Sequence, residues 1–481
     1  MSGYKLLAQR IGLLGISNVL FNISGIILLP LLTKSLSVEN YGIWVQVGVT
    51  VGLLPILINL GLSNSMIRYL AAEKKREGIQ EGFYSITITI LFSSLIVTAC
   101  FLLLSDQIAG ILFNNNLFVS RMLPIIILLE CLNTNVLTFF RTMHQIKRYS
   151  LFQVAKTYLN VALVGFFVVS GYDIFGAMIG LLISTAVSFL VMTFLVVYEI
   201  GFKIPKFNKL REYFAFGLPT LPGNLSWWVT SSSDRYIIGI FLGSAFVGYY
   251  QPAYVLGNII TMFSAPMQLF LPAALSKYYD EGRVPDVESV LSNSMKYFLA
   301  LAIPSTFGLS LLSKPLLTIL STSEIASTGY LVTPFVASSA LLAGSITIFS
   351  HVIIIQKKTN LIGLTWAMAA VVNIGLNLIF VPLIGILGAA ITTLLAFLIA
   401  FMMMARYSRK YLPFNIDIRF ISKSLMASVV MSVLILLLDP IGICEVFATV
   451  GICAGVYLFI LFLLGGFDRR EMEFFKELFR L

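Results

Sequence analysis

Four charged residues stand inside long apolar runs: Glu130, Lys156, Asp234 and Arg235. A charge at the centre of a bilayer costs about 2.5–3.5 kcal/mol on insertion scales, so each must be paired, hydrated or held by a ligand. Gln153, Lys156 and Asn160 follow i, i+3, i+7 and share one helical face. That polar stripe should avoid lipid. It suits either an anion such as phosphate or helix packing, with the lysine snorkelling to the nearer surface. Glu130 lies near the middle of its run, too deep for its short side chain to reach water. It is either protonated or paired, and Lys156 is the nearest partner by sequence; a structural ion pair is favoured over proton coupling. Arg235 lies about one turn from the end of its run, where it either snorkels to headgroups or faces a cavity. Adjacent helical side chains point about 100° apart, so Asp234 and Arg235 are not expected to pair simply with each other.

Uncharged polar residues form further stripes. Asn18 and Asn22 lie one turn apart with Gly25 beyond them. Gln251, Tyr254, Asn258 and Thr261 share a face, as do Asn373 and Asn377. Pro219 and Pro222 break another run, which continues through Asn224, Ser226, Trp227, Trp228 and a serine-rich stretch to Ser233. A single interhelical hydrogen bond is worth only about 0.6 kcal/mol in a membrane. Single residues are explained that way; the concentration on three runs points instead to a wet cavity. Other chemistries lack support. His144 and His351 have no ligand spacing around them, so neither a metal nor a cofactor is expected. Cys100, Cys131, Cys444 and Cys453 read as small buried hydrophobes. No GxxxxGK[ST] loop is present, which excludes an ATPase within the chain.

The elements that must hold these groups follow from composition. Of 481 residues, 58% are hydrophobic and 11% charged, against about 25% charged in soluble domains. The mean hydropathy is +0.94. A bilayer-spanning helix takes roughly 20 apolar residues. Fourteen such runs are predicted, at 11–33, 41–64, 83–104, 117–140, 150–170, 175–198, 213–240, 246–272, 293–313, 330–355, 361–380, 383–405, 420–438 and 443–465. Their length and continuity exclude a membrane β-barrel, which shows ten-residue alternation. The first run is too long for a cleaved signal and is read as a retained helix.

Charge orients these helices. With the N-terminus inside, only Lys34, Arg121 and Lys314 fall in outer loops, and Lys156 and Arg235 lie within runs. Every other one of the 32 Lys and Arg residues falls on the inner side, as the positive-inside rule requires. Both termini are therefore expected in the cytoplasm, with the chain in the plasma (inner) membrane. The net charge of +10 is a topology signal rather than a nucleic-acid footprint. Phe207–Phe214 is expected to lie along the inner surface. The tail, with Arg470, Phe474, Phe475, Lys476, Leu478 and Phe479, is expected to form an interfacial helix.

The chain repeats itself. Leu36-Ser-Val-Glu-Asn-Tyr-Gly42-Ile-Trp44 parallels Leu242-Gly-Ser-Ala-Phe-Val-Gly248-Tyr-Tyr250 at an offset of 206. Gln145-Ile-Lys147 parallels Gln356-Lys-Lys358, and Phe175-Gly-Ala-Met-Ile179 parallels Leu387-Gly-Ala-Ala-Ile391. Two six-helix lobes are predicted, at 1–200 and 213–405, joined by an inner linker at 201–212. Helices 13 and 14 occupy 406–465 and an inner tail occupies 466–481. An even number of helices per lobe makes this a parallel repeat, as in two-lobed transporters.

Ser233-Asp-Arg-Tyr-Ile-Ile-Gly239, Val247-Gly-Tyr-Tyr250 with Ala253-Tyr254, and Ser37-Val-Glu-Asn-Tyr-Gly42 resemble the polysaccharide-biosynthesis flippases. These are of the Wzx or O-antigen transporter type, within the MATE-like (MOP) superfamily. The resemblance runs the length of the chain. It implies an all-α polytopic fold and a transporter that flips a polyprenyl-diphosphate-linked oligosaccharide, with that substrate and the membrane lipids as partners. On this reading Lys156 and Arg235 supply a positive field for the diphosphate. Asn18, Asn22, Asn160, Asn224, Gln251, Tyr254 and Asn258 meet the sugars, while Asp234 and Glu130 tune the field or couple a cation. The competing expectations are a cation-coupled multidrug or metabolite exporter of the same superfamily and, more remotely, a membrane glycosyltransferase or polymerase.

Overall fold

A computed structural model of the chain describes residues 2–467 and 471. The described elements are all helical. In hydrocarbon every backbone N–H and C=O must be satisfied within the segment, so an apolar run of this length has the helix as its solution. Among the described residues, eleven helices are long and apolar enough to cross a membrane. The count is twelve if Val284–Leu311 and Ser313–Leu320, bent by 73° at their junction, form one span. The protein is thus a multi-pass membrane protein. Fourteen crossings require two further features. One is the 55-residue stretch Ile146–Ile200. Gly171 within it has φ of +88°, and the halves fold against one another: a Cβ on Gly180 would lie 2.8 Å from the Val164 nitrogen. The other is the proline-broken stretch from Leu210 to Leu242, which no single helix spans. It is divided into Leu210–Gly217, a 3-10 turn at Leu218–Thr220, Leu221–Ser232 and Asp234–Leu242, as expected where Pro219 and Pro222 remove backbone donors.

The chain forms two compact units, residues 1–251 with 366–389, and 252–365 with 390–481. In the first unit Val38–Ile58 is capped by Ser37, whose Oγ accepts from Asn40 N at 3.1 Å. This helix lies very close to the segment after Gly243. A Cβ on Gly42 would collide with the Ser244 carbonyl, and one on Gly248 with the Val38 carbonyl. Gly42 and Gly248 are repeat mates, and Val38 and Ser244 share the offset of 206. The contact is therefore reciprocal, each copy presenting a glycine to the backbone of the other.

At the end of Ile146–Ile200, Ile200 O accepts from Arg76 Nε at 3.0 Å and Gln80 Nε2 at 2.5 Å, and Gly201 O accepts from Tyr84 OH at 2.7 Å. In the adjoining loop, Glu73 Oε1 accepts from the backbone N–H of Lys74 and Lys75, each at 3.1 Å. The Lys75 N–H contributes most to holding this carboxyl below the usual range.

The second unit is built around Phe420, Ala427, Met431 and Ile435 of the Ile418–Leu438 helix and Cys453, Tyr457 and Leu461 of the Ile443–Leu463 helix. Tyr457 OH donates to Ala300 O at 2.9 Å and bonds to Ser424 Oγ at 2.8 Å. Lys296 Nζ pairs with Glu471 at 2.7 Å.

In Phe207–Phe214 the helix begins at Leu210; Tyr213 is buried, its carbonyl accepting from Ser65 Oγ at 2.6 Å, while Phe207, Arg211 and Glu212 are exposed. Two expectations are corrected. Among the cysteines, Cys131 and Cys453 are buried but Cys100 and Cys444 are exposed, because an apolar side chain on a membrane helix can face lipid as readily as protein. Asp234 and Arg235 do pair with one another, as the site geometry below explains. The proposed tail helix (Arg470, Phe474, Phe475, Lys476, Leu478, Phe479) lies outside the described residues.

Candidate functional site: a polar cavity and two buried ion pairs

The Val38–Ile58 helix ends at Asn59. Leu60 and Gly61 then take φ of +49° and +71°, and Leu62–Leu70 begins. Gly61 is required here twice over, by its left-handed conformation and because a Cβ would strike the Gly217 carbonyl. Irregular backbone at membrane depth is tolerated where it lines a cavity. This break does so: Asn59, Gly61, Ser63 and Asn64 face a cavity of about 310 Å³, closed by Gly52, Pro55, Glu130, Thr134, Leu221 and Asn224. Asn64 Nδ2 donates to Thr220 Oγ1 at 3.0 Å. Asn59 Oδ1 and Ser63 Oγ are buried with no hydrogen-bond partner.

Glu130 enters the cavity wall from Leu117–Thr142. Its two carboxylate oxygens accept from Lys156 Nζ at 2.5 and 2.6 Å, so the pairing anticipated from sequence is present. Both side chains keep about a fifth of their surface exposed, 20% for Lys156 and 21% for Glu130. Beside them, Asn160 Oδ1 accepts from Ser184 Oγ at 3.4 Å, and Gln153 Oε1 is buried without a partner.

The second pair is enclosed. Arg235 Nη1 lies 2.6 Å from Asp234 Oδ1 and donates to Ser231 O at 2.6 Å, and its Nε donates to Gln251 Oε1 at 3.1 Å. Asp234 Oδ1 also accepts the Arg235 backbone N–H at 3.0 Å, and Oδ2 accepts from Tyr250 OH at 2.6 Å. The guanidinium lies 5.4 Å from the Tyr250 ring centre. Asp234 and Arg235 meet, despite diverging Cα–Cβ bonds, because Asp234 opens a fresh helix after the break at Ser233. Its carboxylate folds back over the first turn, and the long arginine stem curls to the preceding turn. Arg235 therefore neither snorkels to the surface nor lines the polar cavity. Nearby, Ser233 Oγ and Asn377 Nδ2 both donate to Asn373 Oδ1, at 3.3 and 3.0 Å.

Of the sequence candidates, the structure brings Glu130 and Asn224 to the polar cavity wall, with Lys156 paired to Glu130 and Asn160 on the same helix as Lys156. Asp234, Arg235 and Gln251 form the separate enclosed cluster. Asn18 is half-buried and Asn22 exposed, its amide donating to Asn18 O at 2.9 Å. Tyr254 and Asn258 belong to the second unit. Sequence reasoning missed Asn59, Ser63 and Asn64, which it absorbed into the end of an apolar run. The signal was a cluster of polar residues around Gly61. The second unit carries its own cavity, of about 750 Å³ and almost wholly apolar. It is lined by Pro304, Leu309, Leu312, Met431, Ile435, Val450, Leu458 and their neighbours, with hydroxyls only from Tyr297, Ser305 and Tyr457.

Residues 7–277 match the family model described as polysaccharide biosynthesis protein. Two curated proteins of Haloferax volcanii are similar. The probable low-salt glycan biosynthesis flippase Agl15 is 26% identical over 230 residues, 48% of each chain; the probable flippase AglR is 25% identical over 179 residues, 36% of this chain and 37% of that one. The chain thus spans about half or less of the length of these relatives. Among solved structures, the lipid II flippase MurJ in an inward closed conformation superposes with a TM-score of 0.77 at 16% identity, covering 94% of this chain and 98% of that one. An inward-facing multidrug resistance MATE transporter of the MOP superfamily gives 0.66 at 17% identity, covering 81% and 93%. Those two likenesses establish a MATE-like fold. With more than half of its length matched to the family model, the chain belongs to the polysaccharide biosynthesis protein family.

Proposed function

We propose that this protein is a transporter, not an enzyme, and that it flips a lipid-linked glycan across the plasma membrane by alternating access between two six-helix lobes, 1–200 and 213–405. The carrier is a polyprenyl diphosphate. The observation that carries the reading is that each unit holds a cavity, one partly polar and the other almost wholly apolar. A glycolipid has a head that cannot enter hydrocarbon without severe cost and a tail that is favoured there. A polar cavity of about 310 Å³ in the first unit suits part of the head. An apolar one of about 750 Å³ in the second suits part of a prenyl chain. Family membership and the names of the Haloferax relatives support the same direction.

The test is reconstitution of the full chain in vesicles carrying a fluorescent polyprenyl-diphosphate oligosaccharide on one leaflet. Flipping exposes the glycan to an impermeant lectin on the other side, and a rate that rises with an imposed Na+ or H+ gradient identifies a coupling cation. No transfer of the glycan, together with export of cationic drugs by the same vesicles, would overturn the reading in favour of a multidrug exporter. Topology is tested separately. Reporter fusions after Arg148 and at Lys209 should report the cytoplasm, as should one at the C-terminus.

A further inference from the structure

We infer that Gln46 is a built-in bias toward opening: it keeps the seam between the Val38–Ile58 helix and segment 234–250 able to part at its Gly42 end. The inference deepens the alternating-access reading and rests on it for what the opening serves. The whole seam lies within the first unit. Gln46 stands one turn along the helix from Gly42 and is fully buried. Its Oε1 lies 3.5 Å from Ser244 Oγ, at the outer limit of a hydrogen bond. Its Nε2 has no hydrogen-bond partner. Gly239 makes room for that nitrogen, since a Cβ there would lie 1.9 Å from it. A buried amide donor without an acceptor is costly, whereas an apolar side chain of the same shape is not. A seam that stayed shut would therefore be better sealed without the glutamine. Parting the seam gives Nε2 water to donate to, so the sealed form alone carries the deficit. A group that differs between two conformations in this way shifts their populations.

The two ends of the seam are fastened unequally. Asn59 Oδ1 and Ser63 Oγ are also unpartnered, near the Gly61 end, but that end is tied by side chains. Ser65 Oγ donates to Tyr213 O at 2.6 Å, and Asn64 Nδ2 donates to Thr220 Oγ1 at 3.0 Å. The Tyr69 ring packs on those of Tyr213 and Phe216, with centres 5.4 and 5.9 Å apart. At the Gly42 end, Gly42 and Gly248 bring backbone against backbone, and the polar tie is the long Ser244–Gln46 contact. A shorter bond lies one turn further in. Thr50 Oγ1 donates to Gln46 O at 2.7 Å, so its 2.7 Å bond to Tyr236 is donated by the tyrosine hydroxyl. On the far side of the seam, Arg235 holds Gln251 and Tyr250 holds Asp234. These bonds join the helices Asp234–Leu242 and Ser244–Asn258, so the two can swing together while Gln46 stays with Val38–Ile58.

The experiment measures a distance across the Gly42 end by double electron–electron resonance. It uses the full-length protein in nanodiscs, spin-labelled at Glu39→Cys and Phe246→Cys, both at exposed positions. The four native cysteines are replaced by alanine. The native seam should give a short and a long distance. Gln46→Met keeps the length of the side chain but removes the donor, and should raise the ratio of short to long about tenfold. Gln46→Leu should do the same, which guards against one variant failing to fold. Ser65→Ala, which cuts a tie at the other end, should not raise that ratio. A purely structural glutamine would alter the unfolding temperature and leave the ratio alone. A native protein showing the short distance only would overturn the inference, as would a ratio that Gln46→Met and Gln46→Leu leave unchanged or lower. The measurement needs no substrate, so the two proposals fail separately. The expected shift in a chain that flips no glycan would sink the flippase reading and leave the role of Gln46. Flipping by the native chain with a ratio indifferent to Gln46 would do the reverse.

Discussion

The first unit holds two carboxylate–cation pairs within apolar helices, and they are built differently. Asp234 and Arg235 keep only 2% and 4% of their side-chain surface exposed, and Ser231, Tyr250 and Gln251 complete their shell. Glu130 and Lys156 keep 21% and 20%, and a cavity opens beside Glu130. A buried pair that is fully enclosed has a geometry to defend. A pair facing a cavity has room to respond to what enters. The first therefore reads as a joint between helices and the second as part of a binding wall, although insertion cost alone marks all four residues as equal candidates.

The largest effect should come from breaking the joint. Arg235→Ala would leave Asp234 as an uncompensated buried charge, and removing one partner of a buried pair costs about 3–5 kcal/mol. Loss of the monodisperse peak in detergent size-exclusion chromatography is the expected outcome. Arg235→Lys should not rescue it, since one ammonium cannot reproduce contacts made through both Nη1 and Nε. A stable, well-folded Arg235→Ala protein would show that the cluster is not a joint.

Next in size is the reciprocal corner. Gly42→Ala drives a methyl group into the Ser244 carbonyl, and Gly248→Ala drives one into that of Val38. Overpacking of this kind costs about 1–3 kcal/mol. Since the two contacts are related by the repeat, the two variants should lower the unfolding temperature by similar amounts. A marked inequality would mean that the 206-residue correspondence is not a symmetry of the packing.

What was legible beforehand follows from what acts locally. Hydrocarbon imposes helix on every long apolar run, so fold class and the positions of most helices are readable from residue type. Depth and proximity in sequence were enough to join Glu130 to Lys156. The Asp234–Arg235 contact was not readable, because it depends on the helix restarting after Ser233 and on an arginine stem long enough to turn back. Asn59, Ser63 and Asn64 were hidden for another reason. Averaged over a window, they look like the fraying end of a span, and only the backbone reversal at Gly61, set against Gly217 from 156 residues away, turns them toward a common space.

The smallest effect on folding, and the sharpest on function, is expected at Glu130 and Lys156. Lys156→Met strands a carboxylate and Glu130→Gln strands an ammonium, but about a fifth of each side chain is exposed, so water relieves part of the penalty. Each single change should cost less than the 3–5 kcal/mol expected of a fully buried pair. The double variant should recover most of that loss, because replacing both partners leaves no unpaired charge. A coupling energy of about 0.5–3 kcal/mol is the usual range for residues in contact. Flipping should not recover with stability, since Glu130 would no longer present a carboxylate to the cavity. Lys156→Arg, by contrast, keeps the pair's charge and should retain part of the activity. The measurement is a thermal-unfolding double-mutant cycle run beside the vesicle flipping assay. A double variant as stable and as active as the native chain would return Glu130 and Lys156 to a purely structural role and erase the difference between the two pairs.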